Sequence, residues 1–178
     1  MMTLILMAVL LIYSRSLRGE FITDDAAVLD MEELYGKFSK GKYRLWGLYQ
    51  FRQPRSLTHW GYYWTWRVWG LNPAGWHIVN ISIHLINIFL GYRILLYFLS
   101  PAMALTAAAV FALHPLQVPA VAWISGRAGI QCAMFAYAAI LLLLTGFWPL
   151  AVLAQVLAQA SKQEGWIYLT VWPICFVF

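Results

Sequence analysis

Acidic side chains are scarce in this chain: seven Asp and Glu stand against twelve Lys and Arg in 178 residues, and charged residues of both signs reach only 11%. With 62% hydrophobic residues and a mean hydropathy of +0.68, that little charge excludes a water-soluble globule, which needs more polar surface to coat it. Cysteine is scarcer still. Cys132 and Cys175 both lie in apolar runs, with no Cys-x-x-Cys spacing and no Cys/His clustering, so neither a disulfide framework nor a zinc site is indicated and both read as packing residues. The opening MMTLILMAVLLIY lacks a basic leader and a small-x-small cleavage site, and reads as an uncleaved first helix rather than a secretion signal. No internal repeat and no low-complexity tract is present, and no soluble catalytic domain fits.

What is there is apolar length. A spanning helix needs ~20 mainly apolar residues, and the chain outside residues 15–73 accommodates about five or six crossings. The expected fold is an all-α integral membrane protein of one domain, 1–178, with a first helix (1–14), a large interfacial loop (15–73) and a helical bundle (74–178). Residues 74–99 form the clearest span, opened by Asn72-Pro73 and stopped by Ser100-Pro101. The run 101–113 ends before Pro115 and Pro119, leaving 114–127 as a connection, and another span begins near Ile130. Two shorter helices, 149–160 and 166–178, flank the polar break SKQEG. If every apolar run crosses, the 15–73 loop, the 114–127 connection and SKQEG emerge on one side. The loop holds nine of the twelve Lys and Arg, but at about 60 residues it escapes the positive-inside rule, so charge leaves the orientation open.

The net charge of +5 is explained by contact with anionic lipid or phosphate, and nucleic acid is rejected as a partner. Within the loop, Ala27, Val28, Met31, Leu34, Tyr35 and Phe38 recur at helical spacing and predict an amphipathic surface helix. Six of the ten tryptophans fall between Tyr43 and Trp76, as expected of a segment at headgroup depth.

Several polar residues are candidates for chemistry, each with a plain structural rival. Asp24 and Asp25 precede the amphipathic helix, where one acid can cap exposed N–H groups and the other favour the positive end of the helix. Alternatively, one is a general base that takes a proton from an acceptor hydroxyl. Two acids alone supply too few oxygens for a divalent metal, and no cofactor is expected. His77, Asn80, His84 and Asn87 lie within one quarter of a helix surface and must avoid lipid. Packing glue between helices suits Asn80 and Asn87, while His77 and His84 fit either glue or ligand contact. His114 and Arg127 bracket the second connection. Arg127 either snorkels to the interface or stabilises the charge on a departing phosphate. Lys162 either pairs with Glu164 or joins that same cluster, and loop arginines such as Arg55 are further phosphate ligands.

The order of these pieces carries a resemblance. FITDDAAVLD, then QPRSLTHWGYYWTWRVWGLNPAGWHIVNISIHLIN, FALHPLQVPAVAWISGRAG and ASKQEGW together resemble the N-terminal membrane half of the transmembrane and tetratricopeptide-repeat O-mannosyltransferases and their bacterial relatives, which are GT-C-type glycosyltransferases. The likeness covers most of residues 20–170. It implies a polyprenyl-phosphate-linked sugar as donor, an active site on the extracytoplasmic side and a bacterial inner-membrane location. It also implies that Asp24 or Asp25 is the base, with His114 and Arg127 matching the family's HP…GR connection and Lys162 its Ser-Lys-Glu turn. The chain departs from that pattern at Pro119, where relatives commonly carry Glu, and in the inserted Gln163. It also has no tetratricopeptide region. An alternative follows from those departures: a shortened, non-catalytic descendant that serves as an accessory or structural subunit, covered by other membrane subunits.

Overall fold

The computed structural model describes residues 1–22, 25 and 55–175. The amphipathic helix expected over 27–38, and Asp24 with it, lie outside the described residues. Those described are helical, with no strand among them. Helix α1 is Met2–Tyr13 and runs into a 3₁₀ segment, Ser14–Arg18; α2 is Ser56–Trp69, α3 Pro73–Leu95 and α4 Pro101–Leu113. Short turns over 115–126, including α5 (Val118–Val121), lead into α6, Arg127–Leu144. Helix α7 is Trp148–Ser161, followed by a 3₁₀ segment, Gln163–Val171, and α8, Trp172–Cys175.

The helix ends follow from local chemistry. Asn72 caps α3, its side chain accepting from the Ala74 N–H at 3.1 Å ahead of a first-turn proline. Ser100 and Pro101 open α4 in the same way. Pro115 and Pro119 stop a straight continuation, and the pair Pro101–Leu113 and Pro115–Val121 bends by 52°. Two stretches are long and apolar enough to cross a membrane, Pro73–Leu95 and Ile124–Leu144, and a third is added if the bent pair is one span. Helices α1 and α7 extend only about 18 and 21 Å at 1.5 Å per residue, short of the ~30 Å hydrocarbon core. The five or six crossings expected from apolar length therefore become two or three among the described residues. The reason is that length was spent on short helices and 3₁₀ turns, including 163–175, where one further helix was expected.

Helix α3 is the axis of the fold, packing against α4, α6 and the first 3₁₀ segment. Val9, Tyr13, Ile81, Ile88, Val121 and Ile130 form its largest apolar core. Polar residues hold the turns onto it. Asn80 Nδ2 donates to the Trp123 carbonyl at 3.0 Å, and Asn87 Nδ2 to the Ile130 carbonyl at 2.8 Å. Asn87 thus makes the helix-to-helix contact expected of it, whereas Asn80 holds the turn that precedes α6. His84 is sealed in the same core, its ring edge-on to Tyr13 at 5.7 Å and its Nε2 3.3 Å from the Ala112 carbonyl.

The turn into α6 leaves no room at Gly126, where a Cβ would meet the carbonyl oxygens of Ala120 at 2.6 Å and Pro119 at 2.8 Å. Backbone oxygens cannot swing aside, so Gly126→Ala is expected to lower stability by about 1–3 kcal/mol. A lower midpoint in detergent thermal unfolding checks this, and an unchanged midpoint would contradict the packing.

Candidate functional site

Arg127 opens α6 and is fully buried at 0% exposure. Its Nε donates to Asn80 Oδ1 at 2.8 Å, Nη1 to Thr65 Oγ1 at 2.8 Å and to the Gly61 carbonyl at 3.5 Å, and Nη2 to the Trp76 carbonyl at 3.2 Å. The guanidinium plane lies over the rings of Tyr62 (4.9 Å) and Trp76 (5.2 Å). Among the described residues no carboxylate forms an ion pair with it. Neutral carbonyl and hydroxyl oxygens and two aromatic faces thus carry a buried cation, an arrangement that suits arginine's fork of donors and its weak hydration. The side chain neither reaches the interface nor points free toward a ligand. It ties α2 to α3 beneath the cleft described next.

Above this knot lies a cleft of about 710 Å³, lined among others by Arg55, Thr58, His59, Tyr62, Ser125 and Lys162. Three distant segments make it. Asp25, 1% exposed, accepts from the Ser125 hydroxyl at 2.6 Å and the Ser125 N–H at 3.0 Å through one oxygen, and from the Ile22 N–H at 3.0 Å through the other. Thr58 Oγ1 donates to the Ser161 carbonyl at 2.9 Å, joining α2 to the end of α7. Gln155 Nε2 donates to the Gly165 carbonyl at 2.9 Å and folds the SKQEG turn back. The first loop, the 114–127 connection and SKQEG therefore meet.

Of the residues singled out in the sequence, Arg55 and Lys162 line the cleft, and Asp25 holds its Ser125 wall. Lys162 Nζ also sits 3.2 Å from Glu164 Oε1, both side chains partly exposed. The Glu164 carboxyl is held below its ordinary range by a hydrogen bond to its own backbone amide and then by Lys162. His114 is exposed and caps the turn, its Nδ1 accepting from the Leu116 N–H at 3.2 Å, and it is not among the residues lining the cleft. His77 is buried against Gly19, where a Cβ would come within 3.2 Å of its Nε2. His84 belongs to the core. No three His, Cys, Asp or Glu side chains gather as metal ligands among the described residues.

Sequence reasoning missed Thr58, His59, Tyr62 and Ser125. The 58, 62, 65 spacing of Thr58, Tyr62 and Thr65 is a helical polar face, and it was hidden by the tryptophans around it. Burial pushes the Tyr62 phenol above its ordinary range, with Arg127 pulling the other way, so the cleft wall stays uncharged there. Burial, and then the charge of Arg55, draws His59 below its ordinary value.

A set of apolar helices, two of them long enough to cross a membrane, with a cleft whose lining includes Arg55 and Lys162, defines this as a helical integral membrane protein. Sequence comparison narrows the class. The chain is 27% identical over 199 residues, 95% of its length, to protein O-mannosyl-transferase TMTC4 of Mus musculus. It is 32% identical over 149 residues, 70% of its length, to protein O-mannosyl-transferase TMTC1 of Mus musculus. It is 27% identical over 186 residues, 93% of its length, to protein O-mannosyl-transferase F38B6.6 of Caenorhabditis elegans. By sequence, the chain's homologues are the transmembrane and tetratricopeptide-repeat O-mannosyltransferases, at about 27% identity over most of its length. It spans 25%, 15% and 26% of those three relatives, about a quarter of their length or less. All three are animal proteins, so the expected bacterial setting gains no support from them. No family model matches the chain, and no solved structure matches it.

Removing the buried cation should loosen the cleft from below. Arg127→Met is expected to cost about 2–4 kcal/mol by stranding buried acceptors. Because Arg127 and Asn80 share a hydrogen bond, Asn80→Leu combined with it should cost less than the two singles summed. A double-mutant cycle on unfolding midpoints in detergent reads both, and strict additivity would refute the coupling.

Proposed function

We propose that this chain forms the donor-site region of a GT-C-like glycosyltransferase, which moves a sugar from a polyprenyl-phosphate donor to a hydroxyl acceptor on the extracytoplasmic side of the membrane. In this reading, in keeping with relatives named protein O-mannosyl-transferases, the sugar is mannose and the acceptor a protein hydroxyl. The observation that carries this reading is the cleft with Arg55 and Lys162 in its lining, walled by the Asp25–Ser125 contact. An open cavity with two cations at its surface suits a phosphate-bearing substrate better than it suits an accessory subunit whose cleft is filled by packing.

The reaction proposed is a single displacement. A carboxylate takes the proton of the acceptor hydroxyl as its oxygen bonds to the anomeric carbon, and the bond from that carbon to the phosphate oxygen breaks. The leaving polyprenyl phosphate gathers negative charge, which Lys162 and Arg55 offset. Asp25 is buried and accepts three hydrogen bonds, so we assign it the positioning role and assign the base to its neighbour Asp24. Arg127, enclosed beneath Tyr62, acts as a positioning residue. We give His77, His84 and His114 no chemical step.

Transfer from a polyprenyl-phosphate mannose to a Ser/Thr peptide by the purified protein tests the assignment. Asp24→Asn is expected to lower kcat by about 100-fold or more. Lys162→Met should raise the donor KM about tenfold, the worth of one charge-assisted contact. Equal rates in all three proteins would remove both residues from the mechanism. Wild-type protein that neither transfers the sugar nor binds the donor would overturn the function.

A further inference from the structure

Helix α7 has two sides of different chemistry. Ala151, Ala154, Gln155, Ala158 and Ser161 are buried and fall within about 120° of arc at 100° per residue, the side packed on α6. Leu150, Val152, Leu153 and Val156 are 45–55% exposed. Small and polar side chains are what one membrane helix offers another. Bulky aliphatic ones are what it offers lipid. The aliphatic side ends abruptly at both ends of the helix. Exposed Phe147 and Trp148 stand at its start, and beyond Ser161 the exposed Gln163 and Glu164 follow, with Glu164 Oε1 3.2 Å from Lys162 Nζ.

Between those ends α7 extends about 21 Å, roughly 10 Å less than the ~30 Å hydrocarbon core of a typical bilayer. Both ends are pinned. A turn through Gly146, at φ +82°, joins α7 to α6, and the Phe147 N–H donates to the Leu142 carbonyl at 2.8 Å. At the other end the Ser161 carbonyl accepts from Thr58 at 2.9 Å, and Cys132 Sγ lies 3.9 Å from the Lys162 carbonyl. Helix α6 gives the same measure, because the rise from Cys132 to Leu144 is about 18 Å. Any tilt of the pair shortens its reach along the membrane normal further. Snorkelling does not make up the difference, since a glutamate side chain is short and Lys162 is engaged with it.

We infer that α7 thins the bilayer beside it. Lipid against its Leu150, Val152, Leu153 and Val156 side is compressed to a hydrocarbon layer of about 20 Å, whereas α3, about 35 Å long, meets a layer of ordinary thickness. The surface that α7 presents therefore fits lipid of short acyl chain. The charged SKQEG turn, and Lys162 of the cleft with it, then lies at the headgroups instead of about 10 Å inside hydrocarbon. The inference rests on helix lengths and side-chain chemistry, and it stands whether or not the chain transfers a sugar.

Phosphatidylcholine vesicles with monounsaturated chains of fourteen to twenty-two carbons test it. The wild-type protein should unfold about 5 °C or more lower in the longest-chain vesicles than in sixteen-carbon ones. Gln163→Leu combined with Glu164→Leu lengthens the aliphatic side by about one turn, and should move the most stabilising chain length upward by about two carbons or more. Spin labels locate the edges of the layer, in a Cys132→Ala, Cys175→Ala background checked for unchanged helix content. A label at Leu153→Cys should meet oxygen dissolved in hydrocarbon, and one at Glu164→Cys should meet an aqueous nickel chelate about fivefold more often than the label at 153 does. A wild-type midpoint that is equal or higher in the longest-chain vesicles would overturn the inference, since a water-filled cleft could wet position 164 without any thinning. A label at 164 as deep in hydrocarbon as the one at 153 would overturn it too. So would protection of 153 from both oxygen and the chelate, because another protein surface would then be covering α7. If the paired leucines unfold the protein, the wild-type series and the labels decide the matter without them.

Discussion

The Arg127 guanidinium is the constraint on which the rest of the structure depends. An arginine enclosed by apolar helices is costly unless its donors are satisfied, and here they are satisfied by groups that belong to different elements. The Asn80 side chain and the Trp76 carbonyl come from α3, Thr65 and Gly61 from α2, and the arginine itself starts α6. Meeting one electrostatic demand therefore fixes how three helices sit together. The aromatic faces of Tyr62 and Trp76 complete the cage, and Tyr62 then presents its other surroundings to the cleft.

That arrangement divides the cations around the cleft between two tasks. Arg127 organises, whereas Arg55 and Lys162 remain at the surface of the cavity. The same division applies to the acids. Asp25 is spent on the Ser125 and Ile22 amides and the Ser125 hydroxyl, which staples the first loop to a turn 100 residues later. Such long-range polar contacts are what let a small set of helices hold an open cleft without filling it.

Much of this was legible in the chain before its fold. Proline and serine punctuation located α3 and α4 to within a few residues, because caps are local chemistry. The three polar segments stood out as breaks in the apolar runs, and the Asn80–Asn87 stripe declared its burial by spacing. Other features were not legible. Helix α2 was concealed because its inward residues are hydroxylic and its outward ones aromatic, the reverse of the pattern that marks a helix in water. The fate of Arg127 depended on Thr65 and Gly61, about 60 residues away, and no local pattern announces such a partner. Of the five or six crossings expected, only two or three stand as candidates among the described residues, because apolar content measures solvent preference and does not distinguish one long helix from a 3₁₀ turn.

Asn80 also bears on a question of rotation. Helix α3 is apolar around most of its circumference, so hydrocarbon offers it little reason to prefer one azimuth over another. The Asn80 amide nitrogen lies within 3.4 Å of the Val121, Trp123 and Ile124 carbonyls while its oxygen accepts a hydrogen bond from Arg127 Nε. Turning the span by a single residue would swing that amide through about 100° and empty all four contacts together. One side chain thus works as a key in a slot, setting the heading of a rod that the surrounding oil would leave free to spin.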